Sequence, residues 1–188
     1  MDTQQYIDHV KTQVLDHEYE AVPPAEANPF DPVWYKQDDD PTIGRTTVFV
    51  TVTDPDEIDT ATLKTTTESF RTLVTSASPS DDSTSVENRF GYIVFALADP
   101  ADELIEFATE EFTVADRRSN VFPLLYDLDT ETLYAHDVPR LQGRGLYAQP
   151  KFDAHELLTP GGDVRTLLAP AAPSPSRNCA FAPRSRAW

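Results

Sequence analysis

Apolar side chains recur along this chain with two spacings, and the switches between them outline the elements. Tyr6, Val10, Val14 and Leu15 fall close to a 3.6-residue repeat. That spacing predicts an amphipathic helix over 3–17, within an N-terminal helical segment of residues 1–20. Pro23, Pro24, Pro29 and Pro32 then mark 21–32 as a proline-rich loop or linker without regular structure. Residues 33–36 are a short strand candidate, 38–41 (Asp-Asp-Asp-Pro) a turn, and the β-branched run 46–53 a strand.

The run Val48-Phe49-Val50-Thr51-Val52-Thr53-Asp54-Pro55-Asp56-Glu57-Ile58 is echoed by Val94-Phe95-Ala96-Leu97-Ala98-Asp99-Pro100-Ala101-Asp102-Glu103-Leu104. Each passes from an apolar strand through Asp-Pro into an acidic stretch suited to a first helical turn. Asp accepts from free N–H groups at a helix start, and Pro at the first helical position loses no bond. Acidic residues there also face the positive end of the helix dipole. Asp54 and Asp99 are therefore expected as helix N-caps, with Glu57 at capping-box distance from Asp54. The first helix is predicted over 55–76, turning Ile58, Ala61, Phe70, Leu73 and Val74 inward. The second is predicted over 100–112, turning Leu104, Ile105, Ala108 and Phe112 inward. Residues 76–88, rich in Ser, Asp and Thr, read as a mobile surface loop. Strand, helix, loop and strand make one βαβ unit, which favours parallel pairing.

Residues 121–128 form a further strand candidate, 129–131 a tight turn, and 132–136 a returning strand, so a C-terminal hairpin follows. Residues 139–149 are irregular, and a short helix at 152–158 closes the domain before Gly161-Gly162. The expected fold is α/β or α+β: a mixed four- to five-stranded sheet with one βαβ unit and a C-terminal hairpin, flanked by helices. It occupies a single acidic domain, 1–170. Residues 171–188 differ in kind: they hold Arg177, Arg184 and Arg186, no acid, and the only Cys, Cys179. They read as a disordered tail or as a segment translated in a different frame.

Charge changes the picture more than any motif does. The chain carries 32 Asp and Glu against 15 Lys and Arg, a net −17, and its only lysines are Lys11, Lys36, Lys64 and Lys151. Without the last 18 residues, 12 basic side chains face all 32 acidic ones, a balance of −20. Such a chain repels itself when compact, and salt relieves the repulsion; the Debye length is about 3 Å at 1 M. The composition resembles that of the acidic proteins of salt-in halophilic archaea, whose cytosol is concentrated KCl. Ten Phe and seven Tyr supply bulk for a core, unlike an acidic disordered chain. No apolar run approaches a membrane span, no signal peptide is legible, and a cytoplasmic location is expected. Non-specific nucleic-acid binding is disfavoured because it needs a basic face.

Four constellations could carry chemistry. Asp54, Asp99 and Asp127 end consecutive strands, where one rim of carboxylates could hold Mg²⁺ or Mn²⁺; capping accounts for the first two without a metal. Leu124-Leu125-Tyr126-Asp127-Leu128-Asp129-Thr130 resembles the first motif of the haloacid dehalogenase superfamily, an apolar strand ending in Asp-x-Asp-x-Thr. That resemblance implies Asp127 as nucleophile and Asp129 as general acid or base. It covers seven residues, Glu131 departs from the family's Gly-Thr, and a hairpin turn steadied by the Asp129 side chain explains the same residues. Arg117, Arg118, Arg140 and Arg144 form a locally neutral region suited to an anion, or to pairing with nearby acids. His9, His17, His136 and His155 are scattered and expected at the surface. An acid followed two residues later by Lys, as one nuclease class needs, occurs nowhere, and phosphate-binding and hydrolase loop motifs are absent.

With no complete catalytic set, the expected function is non-catalytic binding of a protein or small ligand, without catalytic residues or cofactor. The alternative is a divalent-metal phosphoesterase or nuclease-like enzyme. Partner, ligand and oligomeric state are not specified by the sequence.

Overall fold

The computed structural model describes residues 1–40, 44–55, 58–77, 87–111, 119–135, 156–160 and 164–165. Helix α1 (Thr3–Asp16) leads through the two-residue strand β1 (Glu20–Ala21) and a single helical turn, α2 (Pro24–Ala27), to strand β2 (Val33–Asp40). Strand β3 (Gly44–Thr53), helix α3 (Thr60–Ser76), strand β4 (Glu87–Leu97) and helix α4 (Asp102–Glu106) follow, α4 continuing as a π-helical turn over Phe107–Glu111. Strand β5 (Ser119–Asp127) turns back into β6 (Thr132–Tyr134), and β7 (Val164–Arg165) lies beside β6.

The sheet is mixed and its seven strands stand in chain order, β1 to β7. β3, β4 and β5 are parallel, whereas β2 pairs antiparallel with β3 and β6 antiparallel with β5. The predicted class, βαβ unit and hairpin are all present; the extra strands are the two-residue edges β1 and β7. Several details differ from the sequence reading. Asp38, Asp39 and Asp40 continue strand β2 opposite Thr46, Arg45 and Gly44 rather than forming a turn. Lys36 lies 3.7 Å from Asp38, and Arg45 lies 3.4 Å from Asp39, so cations compensate the acidic strand. In the proline-rich segment, Pro24 opens the helical turn, a position where a missing N–H loses nothing.

The three central strands are buried on both faces, as parallel strands between helices must be. One face carries Val48, Val50, Phe90, Tyr92, Phe122, Leu124 and Tyr126, covered by Tyr6, Val10 and Val14 of α1 and by Leu157 and Leu158. The other carries Phe49, Ile93, Phe95, Val121 and Leu125, covered by Leu63, Phe70, Leu73 and Val74 of α3 and by Leu104 and Ala108. The molecule is thus three layers, with the helices that follow β3 and β4 on one side and α1 with Leu157 and Leu158 on the other. Leu15, expected inward, is half exposed, because a 3.6-residue repeat from Tyr6 through Val10 to Val14 leaves the next position outside. At Gly91 the sheet and α3 approach so closely that a Cβ would meet Val121 Cγ2 at 2.9 Å and Phe70 Cε1 and Val74 Cγ2 at 3.0 Å. Glu87 and Asn88, assigned to a loop by composition, begin β4. No described helix is long and apolar enough to cross a membrane.

Candidate functional site

The carboxyl ends of β3, β4 and β5 form the rim on which Asp54, Asp99 and Asp127 were expected together, and each is placed there by its strand. Their roles differ from the expectation. Helix α3 begins at Thr60, and its N-cap is Asp59, whose Oδ1 accepts from Thr62 N–H at 2.7 Å. Starting there puts Leu63, Thr67, Phe70 and Val74 on one buried stripe, and that stripe, rather than the Asp-Pro pair, sets the register. Asp54 is exposed and receives a hydrogen bond from Thr3 Oγ1 at the start of α1, at 3.3 Å. Asp99 does not cap α4 either: the N-cap is Ala101, with no side-chain bond.

Asp127 explains why. It is almost wholly buried at the end of β5, and its Oδ1 accepts from Asp129 N–H at 2.9 Å and Thr130 N–H at 3.2 Å. Its Oδ2 accepts from Thr130 Oγ1 at 2.6 Å, and the backbone N–H of Asp99 donates to the same carboxylate. Burial pushes this carboxyl up, but the Thr130, Asp129 and Asp99 hydrogen bonds outweigh it and hold it below the ordinary range. Asp99 stands in a left-handed conformation, φ 53°, and the chain leaves it through buried Pro100 before α4 begins. Leu128 N–H, bonded to Leu97 O at 2.8 Å, ties the two strand ends together one residue further.

The Asp127-Leu128-Asp129-Thr130 stretch is therefore a hairpin turn, and it is steadied by Asp127 rather than by Asp129. Both oxygens of the would-be nucleophile are engaged by donors of its own turn and of Asp99. Among the described residues, no three His, Cys, Asp or Glu side chains converge to hold a metal ion, so Asp54, Asp99 and Asp127 share a rim without forming a centre. Arg117, Arg118, Arg140 and Arg144, with His136 and His155, lie outside the described residues. His17 is 3.8 Å from Glu156. His9 is not a plain surface histidine: its Nε2 is buried without a hydrogen-bond partner, and burial lowers its pKa.

Behind the rim, Tyr6 stacks on Tyr126 with ring centroids 3.8 Å apart, and Tyr6 Oη donates to Leu158 O at 3.0 Å. Tyr126 Oη is buried with no partner; burial, then the charges of Glu131 and Asp127, push it up to about 12. The Met1 amine donates to Leu128 O at 3.0 Å and lies 3.7 Å from Glu131.

Beside the rim, on the α3 and α4 side, is a cleft of about 540 Å³. Ile58, Asp59 and Thr62 line one wall; Leu97, Ala98, Asp99, Pro100, Ala101 and Leu104 line the other. Doubly wound sheets open a crevice where strand order reverses. Here the order never reverses and α3 and α4, which follow β3 and β4, cover one face, with the opening between their starts. The sequence reading passed over Asp59 because Asp54-Pro55 carries the stronger local signal; the apolar stripe from Leu63 was the cue that favoured the later start. Compared with protein-family models, curated proteins and solved structures, the chain matches none.

Proposed function

We propose that the protein is a non-catalytic binding module of halophilic type, working in a salt-rich cytosol and holding a small ligand in the cleft between the starts of α3 and α4. The cleft itself is the observation that carries this reading. Its volume falls within the usual range for small-molecule sites, roughly 300–1,000 Å³. Its lining sets the apolar side chains of Ile58, Leu97, Pro100 and Leu104 beside the polar ones of Asp59, Thr62 and Asp99, which gives a small ligand both kinds of contact. The commitment of Asp127 to backbone and threonine donors weighs against the phosphoesterase alternative, since a nucleophile needs a free oxygen.

The test pairs wild type with Ala98→Trp, a substitution at an exposed wall position that fills the cleft without touching the core. Fragments of varied charge are screened by thermal shift in multimolar KCl. Stabilising hits that vanish in Ala98→Trp support the reading; hits that persist there place ligand binding elsewhere. Phosphate mono- and diester turnover with Mn²⁺, abolished by Asp127→Asn, would restore the enzymatic alternative.

A further inference from the structure

Resting on that small-ligand reading, we infer that the cleft selects an organic cation, an ammonium group carried on a short apolar chain. None of the nine described residues that line it is basic, and two of them, Asp59 and Asp99, carry carboxylates. The competing occupant is an anion, since helix starts attract phosphate and carboxylate groups. Magnitudes decide between them. A full helix start contributes about half a positive charge. That of α3 is already answered by the Asp59 carboxylate on Thr62 N–H. The α4 segment is five residues long and carries Asp102 and Glu103 in its own first turn. Against at most about half a charge from α3 stand the two lining carboxylates, so the field in the cleft favours a cation.

Asp99 is the residue placed to make the contact. It is exposed, forms no ion pair with any described residue, and stands in a left-handed conformation, φ 53°. Non-glycine residues held at positive φ cluster at ligand sites. The apolar part of the ligand has its own surface in Ile58, Leu97, Pro100 and Leu104. That part is essential in concentrated salt. At a Debye length of about 3 Å only a contact ion pair survives, and potassium competes for it. Each methylene buried against the wall adds about fourfold in affinity, which potassium cannot match.

The experiment titrates the full chain in multimolar KCl with n-hexylammonium, hexanol and hexanoate, reading the methyl resonances of Ile58, Leu97 and Leu104. Hexylammonium is expected to bind about tenfold tighter than hexanol, the equivalent of one contact pair, with hexanoate weakest. Asp99→Asn, a residue that tolerates the same left-handed backbone, should bring hexylammonium down to the level of hexanol. If hexanol binds as well as hexylammonium, or the preference survives in Asp99→Asn, the cation inference is overturned while the cleft remains a small-ligand site. If none of the three moves these methyls, the inference and the cleft reading fall together.

Discussion

Asp127 decides the shape of the rim through a balance visible at a single side chain. Burial raises its pKa; the hydrogen bonds from Thr130, Asp129 and Asp99 outweigh that and lower it. A carboxyl whose folded pKa lies below its unfolded value, about 3.9, stabilises the fold above that value. The contribution is lost as pH falls through the lower, folded pKa. Asp127→Asn should therefore cost about 1–3 kcal/mol at neutral pH and flatten the acid side of the stability curve, as measured by denaturation across pH at fixed KCl. Gly91 is a second such point. A methyl added there meets Val121, Phe70 and Val74 at 3.0 Å or less, so Gly91→Ala should cost about 1–3 kcal/mol by overpacking. Unaltered stability would mean that α3 stands further from the sheet. At this scale the sequence was only partly legible. Capping chemistry is the same at Asp54, Asp59 and Asp99, and which of them caps a helix is set by burial several residues away.

At the scale of elements, α3 is held at both ends by side chains from outside its own regular turns. Asp59 caps its start, and Arg89 Nη1 of β4 donates to the carbonyls of Val74, Thr75 and Ala77 at its end, at 3.0, 2.8 and 2.7 Å. A cation on the last carbonyls also complements the helix dipole. Arg89→Ala should lower stability by about 1.5–3 kcal/mol, comparable to one charged hydrogen bond. It should also speed amide exchange in the last turn of α3 relative to its middle; uniform protection would contradict the clamp. The βαβ unit and the β5–β6 hairpin were legible because apolar runs and turn residues alternate cleanly there. The length of β2 was not, since Asp38, Asp39 and Asp40 have low strand preference and sit in the sheet through pairing with β3. Nor could β7 be foreseen, as two residues carry no period.

At the scale of the whole molecule, three layers are packed by central strands apolar on both sides, and this core coexists with a net charge of −17. The repulsion is long-ranged in dilute buffer, where the Debye length is about 30 Å at 0.01 M, and short-ranged in concentrated salt. Thermal stability should therefore climb steadily with KCl, and calorimetry that found it independent of salt would remove the halophilic reading. The cleft belongs to this scale as well. It lies between α3 and α4 where both cover one face of the sheet, an arrangement that no local pattern in the sequence encodes. The carboxylate rim, in contrast, followed from strand order alone, although of its three side chains Asp127 is the one that serves the backbone.

Binding of a small ligand between α3 and α4 is tested by a methyl-resolved NMR spectrum of the full chain in multimolar KCl, recorded with and without a charge-diverse fragment set. Shifts are expected to concentrate on Ile58, Leu97 and Leu104. Shifts confined to other parts of the molecule, with these three methyls unmoved, would show that the cleft is not the binding site.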